Sequence, residues 1–200
     1  DKETQVKNGE LRLELGGTKL NIGADTAKLF EASTTDPLIE HSVQYKDNKE
    51  TADIKFSRKG SVNFITGSKT NNNFNLKLNK DVVWDMTLKV GAASGNFDFS
   101  ELIVKNLDVD SGAANLDLIF GDRQKFTDVK IDSGASNIDV KVPENAGVRV
   151  KYDGGISSTN LRELGWISKN GYYVSPNYDQ ASCKINLDVD MGVGKFHITR

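Results

Sequence analysis

The stretch LDVDSGAANLDL at residues 107–118 returns almost unchanged as VKIDSGASNIDV at residues 129–140. The two copies align without a gap, which places Leu107 on Val129, Gly112 on Gly134 and Asn115 on Asn137. Both follow the pattern apolar-x-apolar-x-x-Gly-small-small-polar-apolar-x-apolar. Recurrence of this kind is the sequence signature of a repeat architecture.

Further copies carry the pattern through much of the chain. They lie at residues 11–22, 88–99 and 187–198, with a looser copy from Val150. The copy at 88–99 also aligns without a gap, which places Leu88 on Leu107 and Asn96 on Asn115. We therefore expect one structural unit to span roughly 20 residues, a length typical of stacked repeats.

Each unit reads as a strand, a tight corner and a second strand. Leu107 and Val109, and then Leu116 and Leu118, alternate with polar residues, which is the period of a strand with one buried face. Between them Gly112 can take a positive φ, which favours a sharp turn.

The pattern predicts an all-β fold, for which two arrangements compete. In a right-handed β-helix or β-solenoid-like stack, each strand-turn-strand repeat is one rung and like residues stack on like. In an antiparallel β-sandwich, neighbouring strands pair through hairpins, and no close repeat is required. The recurrence favours the solenoid. Residues 25–32 are the one stretch with a helical pattern.

The chain divides into three regions. We predict a polar N-terminal tether over residues 1–10, an N-terminal β region over 11–87 and a repeat region over 88–200. The β region holds the first copy and strands at 38–46, 52–58, 61–66 and 74–79. An aromatic-rich insertion at about 161–179 interrupts the repeat region.

Composition disfavours several classes of function. The net charge is −2 and no long basic run is present, which argues against nucleic-acid binding. Cys183 is the one cysteine, so the chain forms neither an intramolecular disulfide nor a cysteine-based zinc site, and we expect a partly buried thiol. No apolar run reaches the ~20 residues that a membrane span needs.

Carboxylates are the candidates for chemistry in the repeats. Parallel β-helices host polysaccharide-cleaving enzymes that use paired acids. Alternation instead places the repeat aspartates on solvated outer faces: Asp108, Asp110, Asp117, Asp132 and Asp139. The corners also lack the second glycine and in-loop aspartate of calcium-binding nonapeptide repeats. We therefore predict no catalytic residue, cofactor or metal site.

The aromatic insertion is the best candidate for binding. Trp166, Tyr172, Tyr173 and Tyr178 predict a patch that stacks on carbohydrate or contacts a protein. The same rings are also expected if the insertion packs across the open end of the stack as a cap. Sequence leaves both interpretations open.

The order of these features resembles a known family. They are GELRLELG at 9–16, LIEHSVQY at 38–45, Trp84, the two Ser-Gly-Ala units, PENAGVRV at 143–150, Asp153-Gly154-Gly155, YVSPNY at 173–178 and the strands from 185 to 198. In this order, over nearly the whole chain, they resemble the bacterial toast-rack family of unknown function, which also forms the C-terminal part of LiaF-type regulators of cell-envelope stress.

That resemblance implies a β-helix-like domain at the bacterial cell envelope, outside the cytoplasm, with envelope or membrane proteins as partners and no catalytic residues. We accordingly expect a non-enzymatic domain for protein contact, adhesion or stress sensing. The alternative is a β-helix that binds or cleaves polysaccharide.

Overall fold

The computed structural model describes residues 5–60 and 72–200, and within them the fold is all-β with no α-helix. Its strands are β1 (Asn8–Leu15), β2 (Thr18–Gly23), β3 (Phe30–Thr34), β4 (Ile39–Lys46), β5 (Thr51–Arg58), β6 (Asn72–Leu78), β7 (Val83–Phe99), β8 (Ile103–Phe120), β9 (Phe126–Lys141), β10 (Gly147–Thr159), β11 (Ile167–Lys169), β12 (Tyr172–Val174) and β13 (Lys184–Thr199). The strand predicted at 61–66 lies outside the described residues.

The strands form one mixed sheet in the order β11-β12-β10-β13-β9-β8-β7-β1-β5-β4, and β2, β3 and β6 extend it beside the second half of β7. Each long strand contains a repeat corner, which divides it into a first and a second arm. Neighbouring long strands pair in parallel along both arms, and β8 meets β9 in the predicted register, with Leu107 beside Val129. The all-β class is thus confirmed, and the repeats do not pair through the antiparallel hairpins of a sandwich. A right-handed β-helix stays a prediction.

Both arms bury the same side of the bent strand. In β8, Leu107 and Val109 are buried in the first arm, and Leu116 and Leu118 in the second. At the corner between them, residues 112 and 113 are both exposed, so the alternation of buried and exposed residues shifts by one position where the chain turns. The apolar core therefore lies inside the bend, where both arms face it.

Shorter strands complete the levels at the two ends. Strands β1 and β2 together form one level, because β1 pairs with the first arm of β7 and β2 with the second. Strands β5 and β6 form the next level, and β4 and β3 flank it in antiparallel pairing. At the opposite end β12 and then β11 add antiparallel beside the first arm of β10.

The last strand lies inside the stack. Strand β13 separates β9 from β10, and Leu187 pairs with Val129 on one side and with Val150 on the other. The copies at 150 and 187 thus match the predicted register, but they do not follow one another in chain order. A solenoid of successive turns predicts chain order, and the structure departs from it here.

One predicted register, that between β7 and β8, is wrong. The sequence pattern places Leu88 beside Leu107, but Met86 pairs with Leu107, and Leu88 pairs with Val109. Asn96 consequently faces Asp117 rather than Asn115. A shift by one strand period leaves every side chain on its original face, so alternation alone cannot distinguish the two registers.

The repeat glycines are needed for a different reason from the one predicted. Gly112, Gly134, Gly192 and Gly155 lie on neighbouring strands at the corner, and none has a positive φ. A Cβ on Gly134 would come within 2.6 Å of the carbonyl oxygen of Gly112. Glycine therefore permits close approach of stacked corners, and no left-handed turn is involved.

A short chain of buried hydroxyls lies inside the same corners. Ser111 donates to Ser133 at 2.9 Å between the Oγ atoms, and Ser133 donates to Ser136 at 2.6 Å. The Oγ of Ser136 also accepts from the backbone N–H of Ala114 at 2.9 Å. All three serines are buried, so these bonds replace the water that the hydroxyls lose.

A buried ion pair joins the strands at the β4 end. The Nε of Arg58 donates to Asp36 Oδ2 at 2.7 Å, and the backbone N–H of Leu38 donates to Oδ1 at 3.0 Å. Burial by itself raises the pKa of Asp36, but these hydrogen bonds outweigh it, so the pKa lies below its ordinary value.

The predicted helix over residues 25–32 is wrong. Strand β3 begins at Phe30 and pairs antiparallel with β6, where Phe30 meets Leu78. Leu29 is buried in the core just before it. Tertiary strand pairing thus overrides a weak local helical preference.

Candidate binding surface

In-register pairing arranges the outer side chains in rows across the first arm. Asp110, Asp132, Asp190 and Asp153 occupy one row on four neighbouring strands, and all are exposed. The predicted solvated positions of Asp108 and Asp117 are exposed as well, whereas Asp139 is half-buried beside Lys195 and His197. Across residues 5–60 and 72–200, no cluster of three or more side chains is arranged to hold a metal ion.

Cys183 lies just before β13 and is buried. Burial raises the pKa of its thiol, and the nearby carboxylate of Asp122 raises it further. The predicted burial of this thiol is thus confirmed, and it is more complete than expected.

The insertion places its four aromatic residues in two separate pairs. Tyr172 and Tyr178 lie on either side of Arg149, with 5.0 Å and 5.6 Å between the guanidinium carbon and the ring centroids. Trp166 and Tyr173 instead pack against the apolar core. Adjacent residues of a strand point to opposite faces, which explains why Tyr172 and Tyr173 separate. A cap and a contact surface both remain predictions for these residues.

Tyr172 and Tyr178 belong to a longer series of alternating cations and rings, which we call the cation–aromatic ladder. Its members, in spatial order, are Lys125, Phe126, Lys184, Tyr178, Arg149 and Tyr172. Each neighbouring pair lies within 5.8 Å of cation to ring centroid. Sequence reasoning missed Lys125, Phe126, Arg149 and Lys184, because the insertion of β13 beside β9 is what brings them together.

A groove of about 350 Å³ lies on the outer face of the first arm beside the ladder. Asn106, Asp128 and Asn186 follow one another across its floor on β8, β9 and β13. Asn186 donates to Asp128 at 2.8 Å and accepts from the Tyr178 hydroxyl at 2.6 Å. Arg149 and Tyr172 line the same groove, so amides, carboxylates, a guanidinium and a ring meet there.

A second distinctive surface is the end of the stack at the second arm of β10. Strand β12 covers β10 only at residues 149–151, and no strand in the described part of the chain pairs with the outer edge of residues 154–159. Ile156 in this segment is 83% exposed, and it pairs in register with Val193, which is 50% exposed.

The exposed aliphatic residues continue along the outside of the corners. Ala92, Ala113 and Ala135 occupy the positions equivalent to Val193 and Ile156 on the preceding strands, and all are exposed. Side-chain size therefore increases toward the open edge, and the row forms an apolar ridge that ends at Ile156.

Comparison with known proteins places the fold. No curated protein matches the chain significantly. A crystal structure of a "putative cell adhesion protein" from Clostridium sporogenes ATCC 15579 has 21% sequence identity and a TM-score of 0.84, over 99% of this chain and 95% of that one. A "putative adhesin" from Bacteroides fragilis NCTC 9343 has 14% identity and a TM-score of 0.29, over 98% of this chain and 94% of that one.

The first of these likenesses shows a shared fold over nearly the full length of both chains. Within the described residues, no helix is long and apolar enough to cross a bilayer. The family model described as the N-terminal domain of toast_rack, DUF2154, matches residues 1–162, which is most of the chain. The resemblance of the sequence motifs is thereby confirmed, and the chain belongs to the toast-rack family.

Proposed function

We propose that this domain acts without catalysis as a contact domain of a bacterial cell-envelope protein, and that it adheres end to end to a second copy of itself. The family and the fold shared with a protein described as a putative cell adhesion protein support a surface role outside the cytoplasm. The open edge of β10 is the observation that carries the proposal.

An unpaired strand edge offers backbone N–H and C=O groups to another chain. Residues 154–159 form a continuous segment of this kind, and Ile156 within it is 83% exposed. Contiguous exposed apolar patches mark protein contacts, and Ile156 and Val193 form the end of such a ridge beside the open edge.

A second copy fits this edge in antiparallel pairing about a two-fold axis. With Ile156 opposite its own counterpart, Asp153 faces Thr159 of the other copy, so no like charges meet. The two Val193 side chains then extend the apolar contact on either side.

Sedimentation equilibrium of the full chain tests the proposal. We expect a concentration-dependent dimer, which Ile156→Lys converts to monomer because it places a charge at the centre of the contact. Ile167→Lys is the matched control, because Ile167 is also an exposed isoleucine, at 58%, but lies on β11. It should leave the dimer intact.

A disulfide tests the geometry directly. Antiparallel neighbours have Cα atoms roughly 4.5–5.5 Å apart, which is within the span of a disulfide. Ile156→Cys should therefore form a covalent dimer on mild oxidation, while the buried Cys183 stays unreactive. A wild-type chain that stays monomeric at all accessible concentrations would contradict the proposal, as would an Ile156→Lys dimer as strong as wild type.

A further inference from the structure

We propose that the cation–aromatic ladder and the adjacent groove bind a saccharide that carries carboxylate groups. This site lies on the outer face of the first arm, so it is independent of the contact proposed at the second arm of β10.

The ladder holds three cations without counter-charges. Within residues 5–60 and 72–200, no carboxylate lies within ion-pair distance of Lys125, Lys184 or Arg149. The Nε of Arg149 is also buried and lacks a hydrogen-bond partner. Arg149 as a whole is only half-buried and lines the groove, so an anionic group in the groove can accept from the accessible part of its guanidinium.

Aromatic rings hold these cations in place. Arg149 lies between Tyr172 and Tyr178, and Lys184 lies between Tyr178 and Phe126. The site is consequently ordered before a ligand arrives, which reduces the entropy lost on binding. The planar guanidinium matches a carboxylate through two parallel hydrogen bonds.

The groove supplies the contacts that a sugar ring needs. Its volume of about 350 Å³ falls within the range of small-molecule sites. Tyr172 presents an apolar ring surface, and Asn106 and Asn186 present amide donors and acceptors for hydroxyl groups.

The charges that line the groove favour a ligand with one carboxylate per sugar over a ligand with closely spaced anionic groups. The groove contains Asp108, Asp128 and Asp188, of which Asp188 pairs with Lys151 at 3.2 Å and Asp108 faces Lys130 on the neighbouring strand. A ligand with closely spaced phosphates would place charge on these carboxylates. A uronic acid unit places its carboxylate at the ladder and its hydroxyls over the floor.

Isothermal titration calorimetry of the full chain with an oligogalacturonate tests this inference. A neutral malto-oligosaccharide and an inorganic polyphosphate of similar length serve as comparison ligands. We expect binding of the oligogalacturonate, and at least tenfold weaker binding of both comparison ligands at the same ionic strength. Equal binding of polyphosphate would reduce the site to general anion attraction and overturn the saccharide assignment. Equal binding of the neutral sugar, or no binding of the oligogalacturonate, would overturn it as well.

Variants identify the residues. Arg149→Gln should weaken oligogalacturonate binding about tenfold or more, because a charge-assisted hydrogen bond is lost. Lys184→Gln and Tyr172→Ala should each weaken it about fivefold. Lys89→Gln is the matched control, since Lys89 is exposed on the same face but lies on β7, and it should bind like wild type. Wild-type affinity in both the Lys184→Gln and the Arg149→Gln variant would refute the ladder as the site. Because Lys125 is exposed, Lys125→Gln can replace either variant if that variant does not fold.

Discussion

Gly134 lies so close to Gly112 on the neighbouring strand that a Cβ on Gly134 would approach the Gly112 carbonyl oxygen to 2.6 Å. The same relationship recurs between Gly192 and Gly134, and between Gly155 and Gly192. At these stacked corners backbone thus contacts backbone directly, and the close spacing of neighbouring strands requires glycine, which has no side chain.

Gly134→Ala should destabilise the protein by about 1–3 kcal/mol, because the added methyl group forces two rigid backbones apart. Urea unfolding monitored by circular dichroism measures the change. Gly16→Ala is the matched control: Gly16 occupies the same repeat position, but its Cβ would meet no atom closer than 3.9 Å. Equal stability losses in both variants would contradict the close-approach explanation.

Ser133→Ala should cost about 1–3 kcal/mol of unfolding free energy, since it leaves the buried Ser111 hydroxyl without its acceptor. The double variant Ser111→Ala/Ser133→Ala should cost less than the sum of the two single changes, because it removes both partners. Ser94→Ala, at an exposed corner position, provides the control. Strict additivity would show that the hydroxyl chain contributes nothing as a unit.

Asp36→Asn should lower the unfolding free energy at pH 7 by roughly 3 kcal/mol or more, because Arg58 loses its buried partner. The sign of the pH dependence follows from the lowered folded pKa of Asp36: its stabilisation is complete above the ordinary value of 3.8 and is lost as the pH falls through the lower folded value.

The difference between wild type and Asp36→Asn should therefore shrink below pH 3.8 in a series of urea unfolding curves. Glu40→Gln removes an exposed pair with Lys59 and should leave the curves unchanged. A difference that stays constant down to pH 2 would show that the Asp36 carboxylate is not the source.

Amides of β13 should be among the slowest to exchange with deuterium, although β13 comes last in the described chain. Both of its edges pair with long strands, whereas β3 and β11 are short and lie at the margins of the sheet. Exchange mass spectrometry at neutral pH measures this order. Fast exchange over residues 185–198 would contradict the central position of β13.

The sequence predicts the repeat unit well because each unit is local. Leu107, Val109, Leu116 and Leu118 specify two half-buried strands by alternation alone, and the recurrence at Val129 specifies like-on-like pairing with Leu107. Those inferences depend only on contacts that every repeat makes with its neighbour.

Other features are beyond reach from the sequence. The register between β7 and β8 differs from the predicted one by a full strand period, and only alignment of Gly91 with Gly112 distinguishes the two. The repeat pattern also does not show whether β13 adds beside β10, in chain order, or between β9 and β10, where the structure places it. The ladder depends on that insertion, since Phe126 and Lys184 become neighbours only through it.

The position of β13 also governs when the domain can be completed during synthesis. Strands β9 and β10 are synthesised before residues 184–199, yet these residues must separate them in the finished sheet. Until then β9 presents an open parallel edge with a strong repeat pattern, to which β10 or the β13 of another molecule can pair. A nascent chain must therefore avoid premature pairing of β9 with β10 and strand exchange between molecules. The domain assembles correctly when β9 and β10 stay apart until β13 is available.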